Sequence, residues 1–257
     1  MKAMILAAGL GTRLRPLTDN RPKALVEVAG RTLLEITLAR LRTFGVTEVI
    51  VNVHHFADMV VDYLKTCANF GMRVEVSRED VLLDTGGGLK KAAWFFLEDS
   101  SRLKEPFLLH NVDVISNIDL ASMLRFHNDN HALATLAVQD RETSRYLLFD
   151  EHLQLCGRRA GPSSGQGSHQ KSELVRSSPP PSQLLALAFS GIHVISPRLL
   201  PRITEEGVFS IIPSYLRLAA QGEKILAFRA DDYYWRDLGR PADLAQAALD
   251  LQQRILH

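Results

Sequence analysis

Leu6-Ala7-Ala8-Gly9-Leu10-Gly11-Thr12-Arg13-Leu14-Arg15-Pro16-Leu17-Thr18, followed by Pro22-Lys23, is the stretch on which the rest of this chain is organised. It comes directly after Met4-Ile5-Leu6, which reads as a buried strand. Gly9 and Gly11 let the backbone approach a ligand with no side chain between. The amides of such a turn form a concave set of donors suited to phosphate. Arg13, Arg15 and Lys23 bring three cations to the same loop, and arginine grips phosphate oxygens through a two-point fork. These residue types call for a polyanion, most simply a nucleoside triphosphate.

A dinucleotide-binding turn, Gly-x-Gly-x-x-Gly opening a helix, is the first competing reading. Leu14 stands where its third glycine belongs, and Pro16 and Pro22 stop a regular helix from running on. The next strand-like run, Val49-Ile50-Val51-Asn52-Val53, leads into His54 and His55 rather than a ribose-binding carboxylate. The P-loop spacing is absent as well.

At 257 residues the chain is long enough for a sizeable core and reads as a single domain spanning 1–257. Its formal net charge of +1 gives no global field toward nucleic acid or membrane. Local basic clusters are therefore read as sites. Cys67 and Cys156 lie at no zinc spacing and read as free thiols of a reducing cytosol. The apolar run after Lys2 is too short for a signal peptide, and Arg13 and Arg15 stand where a cleavage region would have to be. No segment has the length of a bilayer span. A cytoplasmic protein is expected.

Strand-like and helix-like stretches alternate through the first half. Leu33, Leu34, Ile36, Leu38, Leu41 and Phe44 recur at helical spacing, with Gly45 as the stop. Helices are expected at Ala57–Cys67, Gly88–Leu97 and Leu120–Asn130. Strands are expected at Glu48–Val53, Arg73–Ser77, Pro106–His110 and Leu133–Gln139. This order implies a mainly parallel sheet covered on both faces. Ligands of such sheets sit beyond the carboxyl ends of the strands, which puts the Gly9–Lys23 loop and Asp113 on one rim. The second half is less regular. A hairpin is expected over Arg145–Leu155, a strand over Leu184–Ile195, a helix over Ile211–Ala220 and a terminal amphipathic helix from Pro241. Ile225–Ala230 and Tyr233–Arg236 are strand-like. Between the hairpin and the Leu184 strand, residues 157–183 turn to Gly, Ser, Gln and Arg, then Pro179-Pro180-Pro181. That composition reads as a surface loop, with a lid or an oligomer contact as the alternative.

Leu6 through Lys23 closely resembles the signature of the sugar-1-phosphate nucleotidyltransferases, L-A-A-G-x-G-T-R-L-x-P-L-T and then P-K. The resemblance implies a three-layer, Rossmann-like α/β fold, here without the β-helix domain of some larger members. It implies nucleotide contacts from Leu6, Ala8, Gly9, Gly11, Thr12, Arg13 and Lys23. His110-Asn111-Val112-Asp113 lies where the family binds its catalytic Mg²⁺. Trp235-Arg236-Asp237-Leu238-Gly239-Arg240-Pro241 resembles W-x-D-x-G-T-P, with Arg240 in place of Thr. Asp113 and Asp237 are thus the implied metal ligands, and Mg²⁺ suits one or two carboxylates completed by phosphate oxygens. Asp231 and Asp232 read instead as a solvated turn.

Asp84-Thr85-Gly86-Gly87-Gly88 resembles the segment that lies against the nucleoside, which assigns Thr85 and Gly86 there. Glu79 stands where the family often has a base-reading Gln; an ionised carboxylate only accepts, so it would favour uracil, thymine or guanine over cytosine or adenine. Phe189-Ser190-Gly191-Ile192-His193-Val194 resembles the strand whose glycine backs the sugar, and Asn111 is a candidate for a sugar hydroxyl. The family's E-K-P segment is missing. Gly157-Arg158-Arg159 stands near its place; these arginines either supply the missing cation or are solvated, and the second is preferred. His54 and His55 read as ordinary histidines.

The implied reaction is attack of a sugar 1-phosphate on the α-phosphorus of an NTP, UTP or GTP favoured, with Arg13, Lys23 and Asp113 catalytic. The branches acting on N-acetylmuramate 1-phosphate and mannose 1-phosphate are the most similar. A phosphocholine cytidylyltransferase of the same fold and a non-catalytic regulatory homologue stay open, as does homo-oligomerisation.

Overall fold

The computed structural model describes residues 1–161, 172–176 and 180–252. The apolar run ahead of the glycines is β1, Lys2–Leu6. Successive strand residues point to opposite faces, so Ala3 and Ile5 enter one core and Met4 the other, all three fully buried. β2 (Glu27–Val28) and β3 (Arg31–Thr32) form a small hairpin before α1, Leu33–Thr43. The Thr32 hydroxyl accepts the Glu35 N–H at 3.0 Å, an N-cap that satisfies one orphan donor of the first turn. Leu34, Leu38 and Leu41 form the buried stripe of this helix, and each such leucine contributes about 1.5–3 kcal/mol.

β4 (Glu48–Val53) pairs parallel to β1, and after α2 (Ala57–Thr66) β5 (Arg73–Arg78) pairs parallel to β4. α3 (Asp84–Lys91) and α4 (Ala93–Leu97) replace the single helix expected there. β6 (Phe107–Asn111) then pairs parallel on the other side of β1. β7 (Val114–Ser116), α5 (Leu120–Asp129) and β8 (Ala134–Gln139) come next. β9 (Arg145–Phe149), β10 (Leu155–Ala160) and β11 (Ser172–Leu174) make an antiparallel wing. β12 (Leu185–Ile195) joins the halves, antiparallel to β6, β8 and β9. α6 (Ile211–Ala220) leads to β13 (Ile225–Arg229), parallel to β8. β14 (Trp235–Asp237) pairs antiparallel with β7, and α7 (Pro241–Gln252) comes last.

The ten-stranded sheet runs β11-β10-β9-β12-β6-β1-β4-β5, with β8 and β13 branching from β12. Side chains of α1, α2, α5 and α7 bury against the Ile5 face, and those of α3, α4 and α6 against the Met4 face. This is the three-layer α/β arrangement expected from the alternation. β1, β4, β5 and β6 are mutually parallel, and β8, antiparallel to the same β12 as β6, runs with them. Their carboxyl ends therefore share one rim. Among the described residues no helix is long and apolar enough to cross a membrane.

The polar segment 157–183 departs from expectation. Its first residues lie on β10, and Ser172–Leu174 is β11, so half of the described part is sheet rather than loop. Arg158 and Glu173 face each other across the pair, Nε to Oε2 at 2.6 Å. A Cβ on Gly157 would lie 2.4 Å from the Glu173 carbonyl, so only glycine allows this approach. An antiparallel edge satisfies its backbone bonds while leaving side chains in water, which is why composition alone misleads there. Residues 162–171 and 177–179 of the expected loop lie outside the described residues.

Candidate active site

The rim begins where β1 ends. Ala7 and Ala8 are still buried, whereas Gly9 and Leu10 are exposed. Gly11 has φ 65° and opens the short turn Thr12–Leu14. A Cβ there would lie 2.9 Å from Thr18 Cγ2 and 3.1 Å from Lys23 Cβ. The Thr18 hydroxyl also donates to the Gly11 carbonyl at 2.9 Å. The glycine thus folds the loop back on itself and brings Lys23 beneath it. Pro22 precedes the turn Lys23–Leu25, and Lys23 is buried.

Four charged side chains from distant parts of the chain meet beyond this turn. The Lys23 ammonium donates to Asp113 Oδ2, two residues past the end of β6. Arg13 Nη2 stands 3.9 Å from Asp237 Oδ1, at the end of β14. Asp237 pairs with Val114, so the two aspartates sit on neighbouring strand ends. Burial pushes the Asp237 carboxyl up, and the Asp113 charge adds to this; Lys23, the Gly239 N–H and Arg13 oppose it. Gly239 fits because a Cβ there would lie 2.4 Å from Arg13 Nη2 and 2.5 Å from Asp237 Oδ1. Thr12 and Arg13 are exposed, Leu6 is half-buried, and Arg15 turns to Asp19 at 3.3 Å, away from the cluster.

Among the described residues no group of three or more His, Cys, Asp or Glu could hold a metal ion. Two carboxylates on neighbouring strand ends, one of them with its charge disfavoured by burial and by the other, nevertheless fit a divalent cation completed by phosphate oxygens. Asp231 accepts from Arg229 at 2.5 Å and from the Asp140 N–H at 2.6 Å, and so is a turn residue.

Glu79 is placed differently from the expectation that it reads the base. It is buried, and both oxygens are engaged: Oε1 accepts from Asn52 Nδ2 at 2.7 Å and Oε2 from the Leu83 N–H at 2.9 Å. Asn52 Oδ1 in turn accepts the Ala7 N–H at 2.7 Å. Glu79 is therefore an internal strut between the glycine loop and the 80–83 segment, and base preference finds no support in its charge. Gly86 also differs from an open nucleoside platform. It is buried within α3, where a Cβ would lie 2.3 Å from the Phe209 ring. Thr85 is half-buried, and its hydroxyl accepts the Ile211 N–H at 3.0 Å. These two residues pack α3 against the 207–211 segment. His54 Nδ1 lies 2.8 Å from the Glu79 carbonyl.

On the other side of the rim, Asn111 Nδ2 would be only 2.8 Å from a Cβ on Gly191, whose φ is 74°. The two expected sugar-side residues are thus neighbours. Arg158 is held by Glu173, away from them. The half-buried Arg159 lies over Tyr146, Cζ 5.5 Å from the ring centroid. Sequence reasoning missed Arg141, which stacks on Trp235 with Cζ 3.7 Å from the ring centroid. Its Nη2 donates to the Phe189 carbonyl at 2.8 Å, and Trp235 Nε1 donates to the Ser190 carbonyl at 2.7 Å. Burial lowers the Arg141 guanidinium, and Asp237 acts in the opposite direction. The available signal was its place two residues beyond β8, on the carboxyl rim.

Residues 2–148 match the Nucleotidyl transferase family. The chain is 33% identical over 262 residues to the N-acetylmuramate alpha-1-phosphate uridylyltransferase of Caulobacter vibrioides, covering 98% of this chain and 96% of that one. It is 29% identical over 257 residues to the mannose-1-phosphate guanylyltransferase of Mycobacterium tuberculosis, covering 98% of this chain and 65% of that one. Among solved structures, HddC from Yersinia pseudotuberculosis, complexed with GMP-PN, superposes with a TM-score of 0.72 at 21% identity, over 97% of this chain and 99% of that one. The inositol-1-phosphate CTP transferase of T. maritima gives 0.73 at 16% identity, over 99% and 95%. The glycine turn, its sheet and these relatives agree: the chain belongs to the nucleotidyl transferase family and is an enzyme of nucleotidyl transfer.

Proposed function

We propose that this protein joins a nucleoside monophosphate unit from an NTP to a sugar 1-phosphate, releasing pyrophosphate. The observation that carries this reading is the convergence of Arg13, Lys23, Asp113 and Asp237 beyond the Gly11 turn. An oxygen of the sugar phosphate forms a bond to the α-phosphorus. The bond from that phosphorus to the bridging oxygen breaks, and pyrophosphate leaves with the electron pair. A phosphate monoester has its second pKa near ~6, so the nucleophile is already largely dianionic and needs no general base. The chain's task is then positioning and charge neutralisation.

The turn amides and Arg13 hold the β- and γ-phosphates, and Lys23 meets the α-phosphate. Asp113 and Asp237 would hold Mg²⁺, which would supply Lewis-acid charge to the reaction when bound. Lys23 neutralises Asp113 until substrate arrives, and then exchanges that partner for phosphate. Gly191 and Asn111 form the floor on which the sugar lies. A reaction consuming NTP and a sugar phosphate belongs to the cytoplasm.

UTP with N-acetylmuramate 1-phosphate is the first pair to test, because the relative named for that reaction matches nearly the whole chain. The test is a pyrophosphate-release screen of UTP, GTP, CTP, ATP and dTTP against a panel of sugar 1-phosphates and phosphocholine, with Mg²⁺. Turnover with one sugar pair supports the reading. Turnover with phosphocholine alone moves the acceptor, and nucleotide binding without any turnover replaces catalysis by a regulatory role.

A further inference from the structure

Resting on the function proposed above, we infer that Arg141, rather than Arg158 or Arg159, is the cation that receives the phosphate of the incoming sugar 1-phosphate. The reading demands such a cation. A dianionic nucleophile must approach an NTP that is itself an anion, and in that reading the two other cations beyond the glycine turn are taken up by the NTP, Arg13 by its β- and γ-phosphates and Lys23 by its α-phosphate.

Arg141 is built for this. It comes after β8 on the carboxyl rim and stacks on Trp235, two residues before Asp237 on β14. The stacking fixes the guanidinium plane, and the Phe189 carbonyl fixes its rotation. That carbonyl takes one of five N–H groups, and no carboxylate pairs with the side chain among the described residues. Nε is buried without a partner there, as is that of Arg159, and Nη2 has the Phe189 carbonyl alone. The guanidinium is therefore preorganised and undercommitted beside a metal-ligand candidate. Gly191, the sugar floor, comes directly after Ser190, whose carbonyl holds Trp235. Phosphate and sugar would thus be received by adjoining parts of one wall. Arg158 is tied to Glu173, and Arg159 lies out on β10 over Tyr146.

The test compares wild type with Arg141→Gln, Arg141→Lys and Arg159→Gln, using the NTP and sugar 1-phosphate that wild type turns over best. Loss of a charge-assisted fork is expected to raise KM for the sugar 1-phosphate by about 10- to 100-fold in Arg141→Gln. KM for the NTP should stay within about twofold. Arg141→Lys should recover only part, because an ammonium neither forks nor stacks in the same way. Arg159→Gln should behave as wild type. A binding readout stands beside the kinetics: with Trp94→Phe, Trp235 is the only tryptophan, and its fluorescence should respond to the sugar 1-phosphate only when Arg141 is present.

An unchanged sugar-phosphate KM in folded Arg141→Gln protein overturns this inference and leaves the function standing. Equal losses for both substrates, or a lowered Tm with both KM values intact, also overturn it, by giving Arg141 to the nucleotide or to the scaffold. If wild type turns over no pair, the function itself fails and this assignment falls with it.

Discussion

The Leu238 N–H donates to the Asp113 carbonyl at 2.7 Å. That bond ties the strand end carrying Asp237 to the strand end carrying Asp113, and it is backbone, so no single side-chain change removes it. The two carboxylates are held together by sheet geometry rather than by a shared side-chain partner.

Asp113→Asn should therefore leave the rim assembled while reducing pyrophosphate release by about a thousandfold. It should also expose the cost of an unpaired Lys23, which is buried against that aspartate. We expect a loss of about 1–3 kcal/mol in chemical denaturation, partly restored in Lys23→Met/Asp113→Asn without return of turnover. Wild-type turnover by Asp113→Asn would overturn the proposal that Asp113 holds a metal ion.

Two glycine substitutions should separate chemistry from folding. At Gly239 the added Cβ meets the ends of Arg13 and Asp237, which can move aside. Gly239→Ala should keep its Tm and require more Mg²⁺ for half-maximal rate. At Gly86 it meets the Phe209 ring at 2.3 Å and the Ile211 backbone nitrogen at 3.0 Å. Gly86→Ala should lose about 1–3 kcal/mol of stability by overpacking. Denaturant titration beside Mg²⁺-dependent rates checks both.

Glu79→Gln tests the internal strut. A neutral amide cannot accept from both Asn52 Nδ2 and the Leu83 N–H, since one end would present a donor to a donor. We expect about 1–3 kcal/mol of destabilisation and an unchanged ratio of UTP to CTP use. A changed ratio at full stability would return Glu79 to the base.

Acid should weaken the fold through its buried histidines. Burial lowers His110 and His127 to about 4 and His193 to about 3. The unfolded chain therefore binds more protons between pH ~6.5 and each folded value, and stability is lost as pH falls through that window. Tm measured from pH 7.5 to 4 should decline below about 6.5. His127→Gln, which removes one of the three groups, should make the decline shallower.

The glycine turn and the placing of Arg13 and Lys23 beside it were legible because glycines and prolines constrain the backbone at consecutive positions. The alternation of periodicities likewise exposed the layered sheet, since helices and strands bury side chains at different spacings. The strand residues Gly157–Ala160 and Ser172–Leu174 were not legible, because an exposed edge strand and a loop share one composition. Glu79 looked like a base reader because sequence shows a carboxylate but not which way it points.

Residue type and local spacing determined on their own that this chain carries a glycine-rich, basic turn after its first strand, in an α/β protein. Only the tertiary structure decided that Asp237 returns to Asp113, that Glu79 and Gly86 face inward, and that Arg141 stands on Trp235. Those relations join segments far apart in sequence, and sheet pairing and side-chain packing, which no local pattern encodes, set them.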